Sequence, residues 1–327
     1  MNSFSYVRVS DVESALREGG AAGSRFLGAG TNLLDLMKGG IERPQRLVDV
    51  TRLPLTAIEQ LPDGGLRIGA MATNSDAANH PLVRTRYPLL SQALLAGASP
   101  QLRNMATVGG NLLQRTRCYY FYDSAFAQCN KRNPGSGCAA LEGYNRIHAI
   151  LGASDQCIAV HPSDMAVALA ALDAVVRVRG PKGERAIPLG EFHRLPGDTP
   201  QRDTNLEHGE LITAVELPAS RFTKSTYLKI RDRASYAFAL VSVAAALDMQ
   251  GSTVRAARIA LGGVAHKPWR AMQAEALLAG SALDTGLLRK AAAAAVEGAK
   301  PYRDNAFKVE LAQRAIVRAV QTAGGMA

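Results

Sequence analysis

The sequence predicts an α+β protein of two domains: a two-lobed N-terminal unit and a separate C-terminal α+β domain. Three observations point there. The chain has 327 residues, about twice the ~150 of an ordinary domain. Short strand and helix signals alternate as far as Pro218, whereas a long apolar run and alanine-rich helical stretches follow it. One stretch near 115–157 loses periodicity altogether and holds all four cysteines, which marks it as an insertion.

Lobe one spans about 1–58. Asp11–Arg17 reads as a helix, Arg25–Leu27 as a strand, Leu33–Lys38 as a helix closed by Gly39-Gly40, and Leu47–Val50 as a strand. Lobe two, about 59–218, starts with a turn at Pro62-Asp63-Gly64-Gly65, the strand Leu66–Ile68 and a helix over Leu89–Ala96 that Pro100 ends. Asn133-Pro134-Gly135-Ser136-Gly137 within the insertion is turn chemistry. Beyond it, Ser163–Leu172 reads as a helix, and Val175–Val178 and Arg185–Ile187 as a hairpin about Gly180-Pro181-Lys182-Gly183. The C-terminal domain, 219–327, would contain the strand Ser225–Arg231, the apolar run Ala237–Leu247 and the strand Thr253–Gly262. Helices are predicted near Met272–Ala279, Thr285–Glu297 and Asn305–Thr322.

An apolar fraction of 47% with 20% charged residues excludes wholesale disorder, collagen-like repetition and a miniature disulfide scaffold. The longest apolar runs end at Asp173 and Asp248, short of the ~20 residues of a membrane span. The N-terminus carries neither a basic n-region nor an apolar h-region, so a cytoplasmic start is expected. The net charge is +10. With no basic block, zinc-finger spacing or RNP-like aromatic motif beside it, the surplus points to anionic cofactors and protein docking, not to nucleic acid.

Phe26-Leu27-Gly28-Ala29-Gly30-Thr31-Asn32-Leu33-Leu34 places two glycines between a strand and a helix, where backbone N–H groups can receive a phosphate. Leu33 stands where the third glycine of a dinucleotide fingerprint belongs, which disfavours a Rossmann site. A plain tight turn capped by Thr31 or Asn32 is the alternative. Ala106-Thr107-Val108-Gly109-Gly110-Asn111 is a second such loop, and a ligand bridging the two would be a dinucleotide.

Cys118, Cys129, Cys138 and Cys157 form no C-x-x-C pair, so zinc ribbons, bacterial ferredoxin motifs and thioredoxin-type dithiols are unmatched. Wide spacing suits a loop wrapped round a larger object such as a [4Fe–4S] cluster, with two disulfides or four buried thiols as the alternatives. Arg103, Arg115, Arg117, Lys131, Arg132 and Arg146 outnumber Asp123, Glu142 and Asp155 here, a surplus that would stabilise an anionic cluster. Tyr119, Tyr120, Phe121, Tyr122 and Phe126 would shield it from water. The histidines form no H-x-x-x-H pair and no G-x-S-x-G elbow is present, so no catalytic residue is assigned. Lys229, Arg231, Asp232 and Arg233 read as a solvated strand end.

Together these residues resemble the FAD-binding subunits of molybdenum hydroxylases, the xanthine dehydrogenase and carbon monoxide dehydrogenase group. The resemblance covers essentially the whole chain. Its carriers are the Gly28–Leu34 loop, Ala106–Asn111, the Ser163-Asp164 helix start, and Lys229–Ala239 before Val241-Ser242-Val243. It implies a two-lobed flavin domain of the vanillyl-alcohol oxidase (PCMH) type, followed by a domain like the C-terminal domain of the carbon monoxide dehydrogenase flavoprotein. Most of that family lacks the cysteine insertion. It resembles the extra [4Fe–4S] loop of the hydroxybenzoyl-CoA reductase medium subunit, and more closely that of the bacterial periplasmic aldehyde oxidoreductases.

By that resemblance, Phe26–Leu34, Thr107, Gly109, Gly110 and Asn111 would bind FAD, with the diphosphate on the glycine loops. Asp164 would contact the flavin, Lys229 would lie near the isoalloxazine, and the four cysteines would ligate the cluster. The implied partners are a small [2Fe–2S] subunit and a large molybdopterin subunit, where substrate is oxidised before electrons reach this flavin. The chain would then stay in the cytoplasm or reach the periplasm by co-export with a signal-bearing partner. Two other readings remain open: a self-sufficient FAD-dependent oxidase with a structural cysteine loop, and a zinc-stabilised binding module.

Overall fold

A computed structural model describes residues 1–326. Three parallel strands open the chain: β1 (Ser5–Arg8), β2 (Ser24–Leu27) and β3 (Arg46–Asp49), in the order β1-β3-β2. Parallel neighbours need crossovers, and the helices Val12–Gly19 and Leu33–Lys38 supply them. Asp11 starts the first by accepting from the Ser14 N–H at 2.8 Å. Leu47, Val48, Ala15 and Leu53 are buried on this sheet.

The second sheet is antiparallel and five-stranded. It consists of β4 (Ile58–Gln60), β5 (Leu66–Gly69), β6 (Val175–Gly180), β7 (Gly183–Pro188) and β8 (Leu211–Leu217), ordered β4-β5-β8-β6-β7. Its central strand, β8, has no counterpart among the elements read from the sequence, nor have the helices Asn74–Asn79 and Pro81–Arg86. The helices Pro88–Ala96 and Asp164–Ala171 share a core with this sheet, and every residue of the latter is buried. Ser163 caps that helix, accepting from the Ala166 N–H at 2.9 Å.

The third sheet orders β9 (Lys224–Ile230), β10 (Val241–Gln250), β11 (Thr253–Gly262) and β12 (Trp269–Arg270) as β12-β11-β10-β9. The apolar run before Asp248 is therefore a strand, and both of its faces are covered. Val243, Ala245 and Leu247 pack on the helices Met272–Leu278, Thr285–Ala295 and Phe307–Gly324. Ala244 and Ala246 join the core of the second lobe instead. Burial on both faces removes the polar alternation of a half-exposed strand, and alanine lets helices approach closely. Ala312, Ala315, Ile316, Ala319 and Val320 form the buried stripe of the last helix, at the spacing of one helix face. Among the described residues no helix is long and apolar enough to cross a membrane.

From Arg115 to Cys157 the chain has one helical turn, Tyr119–Tyr122, and isolated bridges that pair Cys129 with Cys138 and Ser154 with Cys157. The C-terminal domain pins it. Asn305 donates to the carbonyls of His148 and Ala149 at 3.3 and 3.2 Å, and the Asp304 N–H donates to Asn145 Oδ1 at 3.0 Å. Lys308, fully buried, donates to the His148 carbonyl at 2.8 Å and to that of Gly263. Burial, then the nearby Arg146 cation, pushes its ammonium down to about 7. An unfolded lysine titrates near ~10.4, so between these values the unfolded chain binds the extra proton and stability rises with pH. Thermal unfolding from pH 7 to 9 should show this rise in the wild type and a flatter profile in Lys308→Met; identical profiles would contradict it.

Candidate functional site

Strand β2 delivers the chain into Gly28-Ala29-Gly30-Thr31-Asn32, and the helix Leu33–Lys38 leaves it. Gly30 has φ +77°, a left-handed conformation that favours glycine, and a Cβ there would crowd Leu34 at 2.6 Å. The Ala106–Asn111 loop presses against it: a Cβ on Gly28 would come within 3.2 Å of Thr107 Oγ1. Thr107 caps the short helix Val108–Leu112 by accepting from the Gly110 N–H at 3.2 Å. The Gly109 N–H donates to the Ala70 carbonyl at 2.8 Å.

Two cavities meet at this contact. One, of about 500 Å³, is walled by the glycine loops together with Met71, Arg115 and Asp203. The other, of about 490 Å³, is lined by Asn111, Asp164, Lys229 and Phe238. Ala29, Gly30, Thr31, Asn32 and Gly110 border both. An elongated ligand crossing between the loops would occupy both cavities with its middle against Gly28–Asn32, since the N–H groups of Val108, Gly109, Gly110 and Asn111 are spent on Ala72, Ala70 and Thr107.

The second cavity has an ionic floor. Lys229 Nζ lies 2.7 Å from Asp164 Oδ2 and donates to the Ala96 carbonyl at 3.1 Å, while the Tyr227 hydroxyl donates to Asp164 Oδ1 at 2.6 Å. The two charged side chains are only 5% and 8% exposed, which corrects the reading of Lys229 as part of a solvated strand end. Burial first, and then the Asp164 carboxylate, push the Tyr227 phenol well above its ordinary range, so it stays a donor. Ser163 donates to Asn111 Oδ1 at 2.6 Å, tying the second glycine loop to the helix that carries Asp164.

The four cysteines are free and gather in one apolar cluster with Phe121, Ile158 and Leu36. Burial pushes Cys118 up to about 12 and Cys157 up to about 11, and neighbouring cysteines push both the same way. His148 Nε2 stands 3.1 Å from Cys118 Sγ, and the Ala159 N–H donates to Cys157 Sγ at 3.5 Å, contacts that suit thiolate ligands. Among the described residues no three His, Cys, Asp or Glu side chains are arranged round a single metal ion.

The surrounding charge differs from the expected surplus. Arg132 is spent on the carbonyls of Tyr120 and Asp123 at 2.7 and 2.8 Å, and Arg146 pairs with Asp232 at 2.7 Å. Arg115 bridges Glu42 and Asp203 at 2.6 and 2.7 Å. Lys131, buried, lies 2.5 Å from Asp203 and 2.7 Å from His266 Nε2, and its charge favours the Cys157 thiolate. Burial alone would raise the Asp203 carboxyl, yet Lys131 and Arg115 hold it far below the usual range. The aromatic shield is incomplete, because Tyr120 and Phe121 are buried while Tyr119 and Phe126 are exposed. Asp203, Tyr227 and His148 carry no local motif, and sequence reasoning missed them.

Residues 2–220 match the family described as the FAD binding domain in molybdopterin dehydrogenase, and 226–323 match the CO dehydrogenase flavoprotein C-terminal domain. The chain is 52% identical over 332 residues to the aldehyde oxidoreductase FAD-binding subunit of Escherichia coli (strain K12), covering 100% of both. It is 28% identical over 303 residues to the glyceraldehyde dehydrogenase medium chain of Sulfolobus acidocaldarius, covering 92% of this chain and 90% of that one. A solved carbon monoxide dehydrogenase from Hydrogenophaga pseudoflava matches with TM-score 0.78 at 27% identity, over 99% and 98% of the two chains. Fold and cavities thus define a flavin-binding subunit of an oxidoreductase. The chain belongs to the FAD-binding subunits of the molybdenum hydroxylase family.

Asp164→Ala leaves the Lys229 ammonium buried without its carboxylate, a loss of about 3 kcal/mol for such a pair. Urea unfolding should show that loss and a smaller one for Asp164→Ala/Lys229→Met. Additive losses would mean the two side chains do not interact.

Proposed function

We propose that the chain is the FAD- and [4Fe–4S]-containing electron-transfer subunit of a heterotrimeric molybdenum-dependent aldehyde oxidoreductase. Electrons would enter from a small [2Fe–2S] subunit, after substrate oxidation on a large molybdopterin subunit, and leave through FAD to an external acceptor such as oxygen or a quinone. Residues 1–218 would form the flavin domain with the cluster loop at 115–157, and 219–327 the C-terminal domain. The observation that carries this reading is the gathering of four free cysteines, three buried and Cys138 half-buried, beside a cavity floored by two glycine loops. The identity to an aldehyde oxidoreductase subunit over the full length supports the substrate class.

When bound, FAD supplies the exchange between one-electron and two-electron partners. The residues of the chain position it. The 26–34 loop, Thr107, Gly109, Gly110 and Asn111 receive the diphosphate and exclude bulk from its path. Asp164, fixed by Tyr227 and Lys229, presents a carboxylate toward the flavin end, and the Lys229 ammonium lies in the same wall. Cys118, Cys129, Cys138 and Cys157 hold the cluster. Replacing Cys129 with serine should lower iron and acid-labile sulfide per chain and weaken the broad visible absorption. An unchanged iron content and spectrum would overturn the cluster assignment.

A further inference from the structure

The cysteine segment meets the glycine loop, the helix that follows it and the wall of the first cavity through three sets of contacts. Asn32, in the first glycine loop, spends its side-chain amide on the segment: Oδ1 accepts from the Arg115 N–H at 3.0 Å and Nδ2 donates to the Tyr122 hydroxyl at 3.3 Å. Leu36, one turn into the helix that leaves the loop, is 1% exposed among the cysteines and also borders the first cavity. Arg115 links Glu42 to Asp203, which in turn holds Lys131 of the cysteine segment. Glu42, Arg115 and Asp203 all wall that cavity.

A segment of this length with almost no helix or strand pays conformational entropy residue by residue to stay fixed. Lys308 and Asn305 hold its C-terminal end, and ligation of the four thiols would add to the ordering of the rest. Once ordered, it presents the Arg115 N–H and the Tyr122 hydroxyl to Asn32 at fixed positions, and so holds the glycine loop in its ligand-binding form. The same contacts act in reverse: a ligand that fixes the glycine loop fixes the partners of Asn32 in the cysteine segment, the Arg115 N–H and the Tyr122 hydroxyl.

We propose that FAD binding and cluster occupancy are thermodynamically coupled in this chain, with Asn32 as the positioning residue that transmits the coupling. This rests on the proposed cluster. Linkage requires that the cluster favour FAD by the same factor by which FAD favours the cluster.

The test uses the purified complex. Iron and acid-labile sulfide are assayed first. Flavin dissociation is then followed by the recovery of flavin fluorescence, before and after removal of the cluster with an oxidant and a chelator. The FAD Kd of the wild type should rise about tenfold on stripping, within the usual range of coupling between sites. In Asn32→Ala the Kd should be weaker at the start, and the ratio between stripped and loaded protein should fall toward one. Tyr122→Phe, which keeps the ring and removes only the hydroxyl, should reduce the ratio partway and keeps the test available if Asn32→Ala does not assemble. Iron release to the chelator should also be faster from FAD-free wild type. Absence of iron beyond that of the small subunit's clusters in the wild type would overturn the cluster reading and the coupling with it. Iron with the same Kd in loaded and stripped protein, or a ratio untouched by both substitutions, would overturn the coupling alone.

Discussion

The close approach of two glycine loops is the constraint on which the rest of the molecule depends. A Cβ on Gly28 of the first lobe would meet Thr107 Oγ1 of the second at 3.2 Å, so the two loops are in tight contact. Because the first loop sits between a parallel strand and its crossover helix, its position is set by the small sheet β1-β3-β2. The second loop is set by the Gly109 N–H on the Ala70 carbonyl, just past β5. Two sheets of different architecture therefore meet at a contact between two glycine loops. The cavities on either side follow from that meeting, and so does their suitability for one long ligand with a charged middle.

Each loop is tied outward by one asparagine. Asn111 accepts from Ser163, at the start of the helix that carries Asp164. Asn32 is held by Arg115 and Tyr122 of the cysteine segment. The wall of the second cavity and the cysteine cluster are thus reached from the same pair of loops. The C-terminal domain completes both: Tyr227 and Lys229 on β9 hold Asp164, and Lys308 and Asn305 hold the cysteine segment through its carbonyls. A domain that touches neither glycine loop by sequence proximity still fixes the surroundings of both sites.

Local patterns in the sequence carried much of this. Leu33–Lys38 and Thr253–Gly262 fall where periodicity and turn residues placed them, since each is bounded by glycine and has an unbroken pattern. The strand β8 escaped because Leu211–Leu217 is buried almost throughout, which removes the alternation that identifies a half-exposed strand. Ionic partners were out of reach for a different reason. Arg115 and Asp203 lie 88 residues apart, and Tyr227 and Asp164 lie 63 apart, so no window of sequence contains both. Lys229 reads as solvent-exposed when only Arg231, Asp232 and Arg233 are beside it, and becomes buried only once Asp164 is brought to it. The basic surplus near the cysteines was read correctly as charge and incorrectly as free charge, because its carboxylate partners lie in other segments.

The central claim is that one chain holds both a flavin and an iron–sulfur cluster, and cofactor stoichiometry tests it most directly. The complex should be purified anaerobically, its iron, sulfide and released flavin counted per chain, and its visible spectrum titrated with dithionite. The account predicts one FAD on this chain and about four irons beyond those of the small subunit, as a cubane cluster requires, with bleaching of both flavin bands and broad absorption. One FAD with no additional iron would contradict it.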